Sequence, residues 1–72
     1  MIESIEICVN GDTTKVPAGH TVAEILRVLG VPEDRVAVEL NRAIVRKEEW
    51  TLRKVEAGAE MEIVHFVGGG WR

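Results

Sequence analysis

Hydrophobic and polar residues alternate with a period of two at several places along this chain, and at one place the period changes to that of a helix. Ile5, Ile7 and Val9 interleave with Glu6, Cys8 and Asn10, the signature of a half-buried strand. Asn10-Gly11-Asp12 follows; Asn and Gly tolerate the positive φ angles of a tight hairpin turn. Thr13 to Val16, rich in β-branched residues, reads as the returning strand and ends at Pro17-Ala18-Gly19. Val22, Ile25, Leu26 and Leu29 then fall at helical spacing on one apolar stripe. Thr21 and Glu24 have the spacing of a capping box at the start of that helix, and Gly30 and Pro32 end it. Val36, Val38 and Leu40 alternate with Ala37, Glu39 and Asn41 in a third strand. Asn41-Arg42 turns into a short fourth at Ala43–Val45. Lys47 to Leu52 reads as a helical turn or loop pinned by Trp50, and Ala57-Gly58-Ala59 as a turn. Met61, Ile63 and His65 alternate with Glu62, Val64 and Phe66 in a last strand.

A helix of about two and a half turns is too short to stand alone, so it must lean on a sheet. One helix covers one face of a small mixed sheet of about five strands, which predicts a two-layer α+β domain. The second strand, the helix and the third strand form a crossover, right-handed if the strands are parallel. The other sheet face has no second helix to hide it, and Val64 and Phe66 are expected there. An apolar patch left open on a small domain marks a contact surface.

Composition narrows the function classes. The chain has 72 residues, 46% of them hydrophobic and 29% charged, enough for one domain with a modest core. The formal net charge is −3. The basic residues Arg42, Arg46, Lys47, Arg53 and Lys54 are interrupted by Glu48 and Glu49; they read as a solvated face rather than the positive stripe of a nucleic-acid binder. The single cysteine, Cys8, can form neither an internal disulfide nor a metal cage, and a reducing, cytoplasmic setting is expected. The start of the chain has an acidic alternating pattern and not that of a signal peptide. No apolar run approaches the roughly 18 residues of a membrane span.

No constellation for catalysis stands out. His20 and His65 have no metal-like spacing with Cys8, and neither serine nor cysteine sits in a nucleophile–base pattern. Cys8 reads as a small sheet residue, His20 as a solvated residue ahead of the helix, His65 as an edge or surface histidine and Trp50 as a packing plug. The unusual feature is Gly68-Gly69-Gly70, directly after the last strand and before Trp71-Arg72. It lacks the Gly-Lys-Ser/Thr ending of a phosphate loop. A glycine run resists ordering and, without Cβ atoms, passes through a channel too narrow for side chains. A tail with no role is the plain alternative.

The order of elements resembles the β-grasp, ubiquitin-like fold. Val36-Ala37-Val38-Glu39-Leu40-Asn41, then Ile44-Val45, Glu49-Trp50, Gly58 and Glu62 to Gly70 are similar to the ThiS family of sulfur carriers, and Asn10-Gly11 and Thr21-Val22 also fit. The resemblance implies a β-grasp domain over 1–67 and a flexible glycine-rich tail over 68–72. It implies a carrier cosubstrate and not an enzyme, with no bound cofactor. A ThiF-like activating enzyme would use ATP and magnesium to adenylate the carboxylate of Gly70. Sulfur would replace an oxygen to give a thiocarboxylate, and a ThiG-like thiazole synthase would accept the sulfide. Gly68 and Gly69 would be the slender lead, with a reach of roughly 13 Å from Val67 to Gly70. Val64, Phe66 and Val67 would be the docking patch.

The chain departs from the family pattern in three places. Family members end at the glycine pair, whereas Trp71-Arg72 follow here and leave Gly70 as an amide. Asn41-Arg42 stands where Asn-Gly is frequent, and a proline frequent near Arg46 is missing. Trp71 and Arg72 are removed by a processing protease, serve as an aromatic anchor of a binding module, or are foreign to the natural chain; the first is preferred. The alternatives in function are a sulfur carrier for molybdopterin, cysteine or methionine synthesis, the first resembling MoaD, and a ubiquitin-like interaction module without acyl transfer.

Overall fold

A computed structural model describes residues 3–66. Five strands, β1 (Ser4–Val9), β2 (Asp12–Pro17), β3 (Val36–Leu40), β4 (Ala43–Val45) and β5 (Glu60–His65), form one sheet in the order β2-β1-β5-β3-β4. The helix α1 (Val22–Val28) lies between β2 and β3 in sequence. β1 is antiparallel to β2 and parallel to β5, and β3 is antiparallel to β5 and to β4. β2 and β3 therefore run in the same direction, as the crossover requires. They are not neighbours, because β1 and β5 lie between them.

Local signals set the elements as the pattern predicts. Asn10 and Gly11 have φ of 49° and 88°, the left-handed pair of a type I′ turn. Thr21 caps α1 in a full capping box: the Glu24 amide donates to Thr21 Oγ1 at 3.3 Å and the Thr21 amide donates to Glu24 Oε1 at 2.8 Å. The next amides of α1, at Val22 and Ala23, donate to the carbonyls of Arg53 and Trp50. Donors that a helix leaves unpaired at its start are thus satisfied by the 50–55 loop. At the other end Gly30 takes φ 74°, with Gly30 N–H bonded to Arg27 O and Val31 N–H to Leu26 O, the double bond of a Schellman cap.

The core lies between α1 and one sheet face. Ile7, Val16, Val36, Val38, Leu40, Val45, Met61 and Ile63 are buried from the sheet, and Val22, Ala23, Ile25 and Leu26 from the helix. Trp50 closes one end at 3% exposure, its indole N–H donating to Val45 O at 2.9 Å. It is the packing plug expected from the sequence, and Lys47–Glu49 before it form a short 3-10 turn. Three local details differ from the sequence reading. α1 is seven residues long and Leu29 is its C-cap. A second 3-10 turn, Glu33–Arg35, precedes β3. β2 continues through Pro17, where a missing N–H costs nothing because that position of an edge strand points away from β1.

Candidate functional site

The approach to the glycine run is the central strand. β5 has β1 on one side and β3 on the other, and its ladder to β1 is only two residue pairs long. Two asparagine side chains extend that hold. The Asn10 carboxamide accepts from Ile63 N–H at 2.7 Å and donates to Ile63 O at 3.2 Å, so it acts as one further ladder position beyond the end of β1. Asn41 Oδ1 accepts from Glu60 N–H at 2.9 Å at the other end of the strand. Both asparagines sit at positive φ, at 49° and 52°, and each opens a hairpin turn while its side chain reaches β5. The sequence reading saw them only as turn residues; an Asn beginning each predicted hairpin was the available signal. Past the strand, Phe66 N–H donates to Arg35 O at 2.8 Å. Phe66 therefore lies just outside β5, one residue beyond its end at His65, and not within the strand as predicted.

The side of the sheet away from α1 is uncovered. Val64, 54% exposed, stands opposite Ala37. Ile44, 75% exposed, stands opposite Glu39 on the outer side of β3. Together these residues line a shallow groove of about 250 Å³. A second groove of about 270 Å³ shares Ala37 and Ile44 and is lined at its far end by Phe66, Trp50, Arg46 and Lys47. The predicted patch residues Val64 and Phe66 are thus brought to adjoining grooves. Ala37, in the outward set of the β3 alternation, and Ile44 connect them; Ile44 does not stand out in the sequence because β4 has no polar alternation to show which of its residues faces out.

On β3 and β5 the rest of the open face is acidic. Glu39 and Glu62 are directly opposed on β3 and β5, and Glu60 lies 3.6 Å from Arg42. Cys8 is half-buried on β1 opposite Glu60 and lines a cleft with Glu39, Glu60, Glu62 and Arg42. His20 Nδ1 is 3.1 Å from Ala18 O, and His65 is exposed at the end of β5; the two are not brought together with Cys8 by any contact. Glu24 titrates below the usual glutamate range, chiefly because it accepts the Thr21 backbone N–H. The remaining candidate residues, Val67, Gly68, Gly69 and Gly70, lie outside the described residues, as do Trp71 and Arg72. Among the described residues no helix is long and apolar enough to cross a membrane.

A mixed five-stranded sheet clasping one helix, with its central strand leading into the terminal glycines, defines a β-grasp domain of the ubiquitin-like type. At 20% identity and a TM-score of 0.51, a ubiquitin-like domain from tubulin-binding cofactor B shares this fold over the whole of both chains. The ThiS family model matches residues 3–70, and the chain belongs to the ThiS family. The crystal structure of the thiamine biosynthesis protein ThiS from Geobacter metallireducens superposes with a TM-score of 0.78 at 33% identity, over 92% of this chain and 100% of that one. The sulfur carrier protein ThiS of Escherichia coli K12 is 29% identical over 66 residues, 92% of this chain and all of its own length. The thiazole synthases of Magnetococcus marinus and Paramagnetospirillum magneticum are 35% and 39% identical over 66 residues. The chain spans about a fifth of those two proteins, 20% of each.

Proposed function

We propose that this chain is a sulfur carrier for thiazole formation in thiamine biosynthesis, working as a cosubstrate through the carboxyl group of Gly70. The observation that carries this reading is where the family match stops: it runs through the whole glycine run and ends at Gly70, leaving Trp71-Arg72 outside it. The chemistry follows from the state of that carboxyl group. Joined to Trp71 it is an amide; hydrolysis of the Gly70–Trp71 bond by a processing protease frees it. The free group has an ordinary pKa near about 3.5 and is an anion at neutral pH, hence a poor electrophile. A ThiF-like activating enzyme supplies ATP and Mg²⁺. A carboxylate oxygen attacks the α-phosphorus, pyrophosphate leaves, and the mixed anhydride with AMP is the activated acyl donor. Hydrosulfide from a sulfide-level donor then attacks the acyl carbon and expels AMP, leaving the thiocarboxylate, which passes its sulfur to the acceptor in exchange for oxygen and returns to the Gly70 carboxylate.

The role of the described domain is to present that end. β5 is the centre strand, held on both sides and by two asparagines, so the point where the chain leaves the sheet is fixed relative to the open face. Val64 and Phe66, with Ile44 and Ala37, are the docking patch of this reading; Val67, the next residue of the expected patch, lies outside the described residues. A thiazole synthase as acceptor is supported by the two relatives that hold a stretch like this chain within one polypeptide.

The test uses a chain truncated after Gly70. Incubated with a ThiF-like enzyme, ATP and Mg²⁺, it is expected to release pyrophosphate and to gain the mass of an AMP adduct; with a sulfur donor, one oxygen is exchanged for sulfur. The untrimmed chain is expected to do neither. Absence of pyrophosphate release from the trimmed chain overturns the reading. Intact mass of the protein from its native cells checks the processing step, with a species ending at Gly70 expected.

A further inference from the structure

Glu39 on β3 and Glu62 on β5 are directly opposed across the ladder, and both are exposed. Opposed side chains on one sheet face have Cβ atoms about 4.5–5.5 Å apart, and like charges there destabilise the sheet. That distance is shorter than the screening length of roughly 8 Å at physiological salt. On β3, β4 and β5 that face carries Ala37, Glu39, Ile44, Glu60, Glu62 and Val64, none of them basic; Arg42, which lines the cleft beside the pair, is paired with Glu60 at 3.6 Å, and Lys15 lies on β2, beyond β1 in the sheet. The opposed pair also borders the apolar groove, since Glu39 lies beside Ile44 and one step along the ladder from Ala37 and Val64.

We infer that this groove docks a basic-rimmed partner surface: an apolar side chain enters between Ile44 and Val64, and an arginine or lysine settles between Glu39 and Glu62. The inference rests on the carrier reading above and gives the chemistry of the surface by which the loading enzyme holds the domain. A second copy of this chain is a poor occupant, because a symmetric contact would set the same acidic pair against itself. Polyanions and anionic membranes are repelled for the same reason. A partner cation removes a repulsion that the free domain carries, so binding and free-state stability should respond to these two residues in opposite directions.

The experiment compares the chain ending at Gly70, its Glu39→Gln/Glu62→Gln variant and a Glu48→Gln/Glu56→Gln control. The control makes the same change in net charge at exposed positions off the open face. Each is titrated calorimetrically against a ThiF-like activating enzyme at low and high salt, and each is melted alone. For the Glu39/Glu62 variant the expected result is binding weaker by about tenfold and less dependent on salt, together with a higher melting temperature. The control should match the parent in both. If the parent chain is adenylated but the variant binds no worse than the control, or loses affinity along with melting temperature, this inference fails and the carrier reading stands. If the parent chain is not adenylated, the carrier reading fails and this inference falls with it.

Discussion

The two faces of the sheet are made by alternate residues of the same strands, yet one is sealed and the other is not. Under α1 the sheet contributes aliphatic side chains that are nearly all fully buried, and no polar or charged side chain of the described residues is buried with them. On the opposite face, Val64 and Ile44 remain exposed among carboxylates. Because neighbouring residues in a strand point to opposite faces, a single substitution can change one face and leave the other intact. Stability and recognition are therefore written into alternating letters of one sequence.

The strongest test of that separation is a pair of truncations. Leu26→Ala opens a cavity beneath the helix at a fully buried site and is expected to cost about 2–5 kcal/mol in urea unfolding, a large part of a small domain's stability. Ile44→Ala on the open face is expected to change stability by no more than about 0.5 kcal/mol while reducing adenylation of the trimmed chain. A comparable loss of stability from both would remove the distinction between the faces.

Asn10→Ala addresses how β5, which serves both faces, is held. It removes two bonds to Ile63 and leaves those backbone groups at least partly unpaired, at a cost of about 1–3 kcal/mol. Hydrogen exchange at the Ile63 amide should accelerate more than exchange at Ile25 in α1. Equal acceleration at both would mean that the asparagine stabilises the whole domain without any local hold on the strand.

What the sequence disclosed and what it withheld divide along the same line between local and non-local. The capping box at Thr21 and Glu24, the turn at Asn10-Gly11, the apolar stripe of α1 and the plug role of Trp50 depend on residues close together in the chain, and each was legible. The insertion of β5 between β1 and β3 was not, since strand order depends on partners some fifty residues apart, as the Asn10–Ile63 bonds show. The opposition of Glu39 and Glu62 needs register, which alternation alone does not give. Ile44 was hidden because Ala43-Ile44-Val45 is apolar throughout; only its pairing shows that Val45 faces the core and Ile44 the solvent.

The hairpin between β3 and β4 gives a smaller effect of opposite sign. Arg42 adopts φ 70°, where a side chain's Cβ crowds the backbone, a strain of about 1–2 kcal/mol that glycine avoids. Glycine's greater freedom when unfolded returns part of this. Arg42→Gly should therefore stabilise the domain by about 0.5–1 kcal/mol, and the loss of its exposed 3.6 Å pairing with Glu60 should matter little. Destabilisation would show that the pairing on the acidic face contributes more than its exposure suggests.

The smallest expected effect is the pH dependence at the start of α1. Glu24 titrates below the usual glutamate range because its carboxylate accepts the Thr21 backbone N–H, with further help from the Thr21 hydroxyl and the nearby charges of His20 and Arg27. The folded domain thus favours the ionised form more than the unfolded chain does. The stabilisation is fully present above the unfolded glutamate pKa and is lost as pH falls through the lowered folded value. In Glu24→Gln this contribution should vanish, so the stability gap between parent and variant should close on acidification through the glutamate range. NMR titration of the Glu24 side chain should place its midpoint below the ordinary glutamate range. A gap that stays constant across that range would mean that the amide caps Thr21 as well as the carboxylate does, and that charge at this helix end contributes nothing.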